Sequence, residues 1–169
     1  MNLQELALAD FDREMQTTRR FLERVPNDRL SWQPHDKSMT LARLSMHIAE
    51  IPKQMLMVIN QDGFEFGASG GPPPSRREAT SSAEAVETLD ANVSAVREAL
   101  SGADDATLQK PWTFTAFGKV QYTWPKIVTL RTRVMSHMIH HRAQLGVYLR
   151  LNEIPVPALY GPSADEGGM

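Results

Sequence analysis

The sequence predicts an all-α fold: a four-helix bundle with a long crossover connection and an extended C-terminal tail. Apolar residues recur at the helical period in four separate segments, a Gly- and Pro-rich stretch parts the second from the third, and no periodicity survives beyond Ile154. A chain of 169 residues is most simply one domain, residues 1–169 with an irregular tail over 154–169. At that size roughly two-thirds of the unfolded surface can be buried.

The first segment runs from Leu3 to Val25, its stripe made by Leu3, Leu6, Phe11, Met15, Phe21 and Leu22, and Pro26-Asn27-Asp28 ends it. A connector from Leu30 to Lys37 follows, with Trp32 expected to plug one end of the core. Ser38 or Thr40 can cap a second helix over Leu41–Asn60, which contains Pro52 and so invites a kink. From Gln61 to Thr80 the pattern dissolves through Asp62-Gly63, Gly70-Gly71 and Pro72–Pro74 into a long loop, a type of segment that is often functional. Ser81-Ser-Ala-Glu84 reads as a capping box for a third helix to Leu100, stopped by Ser101-Gly102. Residues Pro111 to Tyr122 hold Trp112, Phe114, Phe117 and Tyr122 around Gly118, which suits either a small hairpin or an aromatic lid. Thr123-Trp-Pro125 then opens a last helix to Leu151, with proline near its first position.

That last helix carries the most informative pair in the chain, His137 and His141. Four residues apart, they stand side by side one turn apart. At about 100° per residue the apolar stripe passes through Leu130, Val134, Met138, Leu145 and Tyr148. His141 falls near its centre and His137 close by, while His140 points about a right angle away, which leaves a pair of His137 with His140 as the lesser alternative. Two imidazoles aimed inward need a reason, and a divalent metal ion is the leading one. The competing reading is a pair of hydrogen-bonded core histidines, because helices carry this spacing by chance. With no cysteine present, a third ligand must be a histidine or a carboxylate, and His47 on the shoulder of the second helix is the candidate. Three neutral imidazoles leave a coordination position open, as in catalytic zinc, nickel or iron sites. Glu50, three residues after His47, is the candidate base or supporting partner. His35 sits in the Pro-containing connector as a surface or turn residue. The methionines on helical stripes are explained by core filling, and Arg142 and Gln144 by helix surface plus a buried polar contact to a neighbouring helix.

Net charge is −2 and the isoelectric point about 6.2, with acids and bases interspersed, which gives no electrostatic reason to expect nucleic acid. No apolar run approaches the roughly 20 residues needed to cross a bilayer, and no basic n-region opens the chain, so no membrane and no signal peptide are expected. The absence of cysteine fits a reducing, cytoplasmic setting.

Taken together, His47, the run His137-x-x-x-His141-Arg142-x-Gln144, the segment Leu30-Ser-Trp-Gln-Pro-His-Asp-Lys-Ser38 and the ending Pro157-Ala-Leu-Tyr-Gly-Pro-Ser-Ala-Asp165 resemble the DinB/YfiT-like superfamily, which is unrelated to the polymerase sharing part of that name. The resemblance covers most of the chain. It implies a metal-binding four-helix bundle, commonly a homodimer, with nickel, zinc or a similar ion held by His47, His137 and His141. It also implies chemistry on small molecules. Some members are transferases or isomerases that activate the thiol of bacillithiol, mycothiol or glutathione, and others are known only as DNA-damage-inducible. With no cysteine of its own, this chain would take any such low-molecular-weight thiol as a cosubstrate. The expectation is thus a metal-dependent thiol S-transferase acting on small electrophiles. The alternatives are a metal-dependent hydrolase and a non-enzymatic metal-bound stress-response protein.

Overall fold

A computed structural model describes residues 2–67 and 76–167. Helix α1 (Leu3–Glu23) begins with a complete capping box: the Asn2 side chain accepts from Glu5 N at 2.8 Å, and the Glu5 carboxylate accepts from Asn2 N at 3.1 Å. Asp105 accepts from the next two amides, Leu3 and Gln4, so the free N–H groups of the first turn meet negative charge. A 3₁₀ turn at Asn27–Arg29 leads to α2 (Leu41–Glu50) and α3 (Lys53–Asn60). Strand β1 (Gly63–Phe66), helices α4 (Ser82–Gly102) and α5 (Asp105–Gln109), and strands β2 (Pro111–Ala116) and β3 (Lys119–Pro125) come next. The chain ends in one continuous rod: α6 (Lys126–Thr129), a π-helical stretch at Leu130–Met135, and α7 (Ser136–Leu151), with helical backbone angles at both joins.

The expectation of an all-α four-helix bundle is overturned by a three-stranded mixed sheet of order β1-β2-β3. Strands β2 and β3 form an antiparallel hairpin, which decides between the hairpin and lid readings of 111–122. Its turn is Phe117-Gly118, both with positive φ (50° and 75°), as a tight primed turn requires. Gln121 is an extra residue in the ladder, since Phe114 faces Tyr122 while Thr115 faces Val120. Strand β1 lies parallel to β2 with Gly63 opposite Thr113, where a Cβ at Gly63 would meet the Thr113 carbonyl oxygen at 2.6 Å. This strand occupies part of the stretch expected to be a structureless loop. Gly70-Gly71 and Pro72–Pro74 lie outside the described residues.

Helix α4 packs on α1, α2 and α3, and α7 packs on α1 and α2. The expected helix over 41–60 is two helices. Pro52 has no N–H to continue the ladder, so the chain restarts with Gln54 N donating to Ile51 O and Met55 N to Pro52 O. Thr40, not Ser38, caps α2 through Arg43 N at 3.0 Å. Ser81 caps α4 as expected, but its Glu84 partner reaches one residue further back, accepting from both Thr80 N and Thr80 Oγ1 at 2.7 Å. On α1 the expected stripe holds from Phe11 onward, yet Leu6 is 55% exposed and Glu14 takes a buried place. Trp32 packs edge-on to Tyr148 at 5.4 Å, closing one end of the core. The last helix starts after Pro125, because Thr123 and Trp124 belong to β3. Among the described residues no helix is long and apolar enough to cross a membrane.

Candidate metal centre

Helices α2 and α7 lie against each other and bring His47, His137 and His141 into one cluster. Each offers a ring nitrogen, and the three lie within 4.8 Å of one another. His137 Nε2 and His141 Nε2 face each other at 2.9 Å. The His47 ring stands edge-on to both, with centroids 5.2 Å from His137 and 4.5 Å from His141. An ion bound at about 2.0–2.1 Å in tetrahedral geometry sets its ligand atoms roughly 3.3 Å apart, inside the observed spread.

All three rings are partly buried, and that burial is the main reason they stay neutral. His47 and His137 are each pushed down to about 4 from the ordinary 6.5, first by loss of hydration and then by neighbouring imidazoles and by Arg43 or Arg133. His141 is lowered too, by burial above all, against an opposing hydrogen bond that its ring donates to Gln144. Neutral imidazole is the ligating form, so the donor chemistry fits a borderline divalent ion such as zinc or nickel at neutral pH. Among the described residues no further His, Asp or Glu joins the group, so the three imidazoles could hold an ion while leaving a coordination position open.

Gln144, expected at the helix surface or in a buried polar contact to a neighbouring helix, instead bonds to His141 on its own helix. Its amide oxygen lies 2.7 Å from His141 Nδ1 and can only accept there, which places the proton on Nδ1 and frees Nε2 for a metal. The spacing of three on one helix was the available signal. Arg142 is the buried polar contact to a neighbouring helix: only 1% exposed, it reaches Glu14 and Thr18 of α1. Arg142 therefore sits deeper in the α1–α7 interface than His141, which lies on the shoulder of the buried face. His140 is exposed, with its ring 5.0 Å from His141. His35 is exposed in a turn and accepts from Lys37 N. Glu50 ends α2 half-buried and lies outside the imidazole group; among the described residues its carboxylate makes no hydrogen bond or ion pair.

Beside His137 opens a cavity of about 340 Å³ between α3, the sheet and the π-helical stretch. Phe64 and Phe66 of β1, Trp112 and Phe114 of β2 and Tyr122 of β3 form its aromatic wall. Residues from both nominated segments, the 61–80 stretch and the aromatic 111–122 run, thus meet at one place. π-Helical turns inside α-helices recur at functional sites, and this one ends two residues before His137.

A helical protein with a small mixed sheet and an open three-imidazole site is the class that the fold and the cluster define. Within it, this chain belongs to the DinB family, whose profile matches residues 1–167. It is similar to the crystal structure of a DinB-like protein from Bacillus cereus ATCC 10987, with 27% identity, a TM-score of 0.72 and coverage of 92% of this chain and 97% of that one. A DinB-like protein from Bacillus subtilis (YjoA) shares the fold at 17% identity and a TM-score of 0.68, over 91% of this chain and 96% of that one. A comparison with curated proteins gives no match.

Proposed function

We propose that this protein is a metal-dependent thiol S-transferase acting on small electrophilic molecules, with zinc or nickel held by His47, His137 and His141. The observation that carries this reading is a cluster of three neutral imidazoles, open on the protein side, beside an aromatic cavity. A bound divalent ion there would lower the pKa of a coordinated thiol and make thiolate available at neutral pH. The chain itself contains no cysteine, so the sulfur comes from a low-molecular-weight cosubstrate. In the reaction the thiol proton passes to solvent, the sulfur bonds to the electrophilic carbon, and the leaving group departs with its electron pair. Gln144 fixes the His141 ring, and the aromatic wall shields the reacting partners from water. Pairing of two copies, as the resemblance implies, has support in an apolar groove between α1, α3 and α6 that includes the exposed Leu6; sedimentation velocity tests it.

Metal analysis by mass spectrometry on protein purified without a nickel column, wild type beside His137→Ala, tests the site. About one ion per chain, lost in the variant, is expected. Absence of metal from both, even after zinc or nickel is added, would sink the reading. Conjugation of bacillithiol, mycothiol or glutathione to monochlorobimane by the metal-loaded protein then tests the chemistry. Thiol-independent consumption of the electrophile would point to a hydrolase instead.

A further inference from the structure

A second cavity, of about 520 Å³, opens at the other helix of the imidazole cluster, and its character is opposite to that of the aromatic one. It lies between the connector and α2, and its lining is polar. Lys37, Arg43 and Arg76 face it as cations and Asp36 and Glu78 as acids, with the Thr40 hydroxyl donating to Glu78 at 3.4 Å. Lys37, Arg76 and both acids are exposed, whereas Arg43 is half-buried.

Arg43 ties this cavity to the cluster. It stands four residues before His47 on α2, so the two side chains share one helix face, one turn apart. Its charge reaches His47 and His141 and opposes the protonation of both, while Arg133 does the same to His137 from the side of the aromatic cavity. One guanidinium N–H of Arg43 donates to Arg77 O at 3.3 Å, and among the described residues no carboxylate pairs with it. That cation therefore faces a centre designed around positive charge. Three neutral imidazoles leave the whole double charge of a divalent ion uncompensated, and among the described residues no Asp or Glu joins them. The balancing negative charge has to arrive with the ligands.

We infer that this polar cavity is the subsite for the body of the thiol cosubstrate, and that Arg43 binds a carboxylate which that thiol carries. The inference rests on the transferase reading and names the class of thiol, an anionic one rather than a neutral one. The thiolate supplies one negative charge, and the carboxylate, matched to the planar fork of the guanidinium, supplies a second. Four residues of helix separate Arg43 from His47, about 6 Å of rise, a span that a short chain between sulfur and carboxylate bridges together with the arginine side chain. The electrophile is left the aromatic cavity at His137, so the two reactants reach the cluster from different cavities.

Titration of cobalt-loaded protein with mercaptopropionate and with mercaptopropanol, which differ only in the carboxylate, tests the assignment through the thiolate-to-cobalt absorption band. The acid should bind about tenfold more tightly. Arg43→Gln should make the two thiols equal while cobalt still binds, and Arg43→Lys should keep part of the preference. A preference that persists in Arg43→Gln would assign the carboxylate to the metal itself and overturn the inference, as would the absence of any preference in wild type. Metal-free protein gives a readout independent of the ion. Followed by amide NMR, mercaptopropionate should saturably shift residues Ser38 to Arg43 in wild type and not in Arg43→Gln. No such shifts would overturn the inference whether or not cobalt binds. Shifts of that kind in a protein that binds no cobalt would uphold the subsite and overturn the transferase reading alone.

Discussion

Arg142 and Glu14 form an ion pair that water does not reach: Nη2 lies 2.7 Å from Oε2, with side chains 1% and 6% exposed. The same guanidinium donates to Glu14 O and Thr18 Oγ1, each at 3.1 Å. The Tyr160 hydroxyl completes the group, accepting from Arg142 Nη2 at 2.6 Å and donating to the Glu14 carboxylate. One residue from a candidate ligand, α7 is thereby bolted to α1 and to the tail. Removing one member leaves the other charged and buried, at a cost of about 3–5 kcal/mol. Glu14→Gln and Arg142→Met should each lower the urea midpoint strongly, and the double variant should recover part of the loss. A single variant with a wild-type midpoint would refute this account of the pair.

Gln144 should act on a bound metal ion rather than on the fold. Its hydrogen bond selects the His141 tautomer, and loss of such a partner typically costs 10–100-fold in metal affinity. Gln144→Ala should show that loss in competition with a chromophoric chelator, with the unfolding midpoint nearly unchanged. Equal zinc affinity in the two proteins would remove Gln144 from the site.

Acid should destabilise the metal-free protein through its histidines. His47 and His137 are held near 4 and His141 is also lowered, whereas in the unfolded chain each returns toward 6.5. Between those limits the unfolded state binds more protons than the folded one, so stability falls as pH drops through the window. Above it these groups add no slope. Urea midpoints of metal-free protein should therefore decline from about pH 6.5 to about 4. The His47→Gln, His137→Gln double variant should show a flatter profile. Identical profiles for variant and wild type would contradict the neutral-imidazole picture.

Lys126 fastens the sheet to α3. Its side chain is 3% exposed, and Nζ donates to Ile59 O at 2.9 Å, one of the last-turn carbonyls that α3 leaves without an internal partner. Its backbone N–H donates to Lys110 O at the entry to β2. Lys126→Met keeps much of the apolar stem and strands the Ile59 carbonyl, which should cost about 1–3 kcal/mol. Hydrogen exchange should accelerate in β1 and at the α3 C-terminus; unchanged rates there would show that the carbonyl had found another partner.

The helices and their faces were legible because each writes its own period into contiguous residues: Val86, Leu89, Val96 and Leu100 are buried as their spacing requires. The imidazole cluster was legible for the same reason, since His137 and His141 share a turn and His47 leans from a shoulder toward the adjacent helix. The sheet was not. Strand β1 has four residues and its partner in β2 is distant in sequence, so neither strand announces the pairing, although the aromatic–Thr alternation of Trp112-Thr-Phe-Thr115 carried the period of a strand. Glu14 went unread because a carboxylate inside an apolar stripe gives no sign of an arginine on another helix. Glu50 was nominated on spacing of three, which leaves a helical residue about 60° round from its neighbour.

The parallel pairing of β1 with β2 also orders events in time. All of α4 and α5 lies between the two strands in the chain, so β1 gains its partner only by closing a loop that contains both helices. Closing so long a stretch of chain costs entropy before any strand contact is made. The helical contact that aligns His47 with α7 bridges more chain still, 90 residues from His47 to His137 against 50 from Gly63 to Thr113. A refolding chain should therefore pair its strands no later than it gathers its imidazoles, and zinc should be captured only by a species whose aromatic wall is already formed.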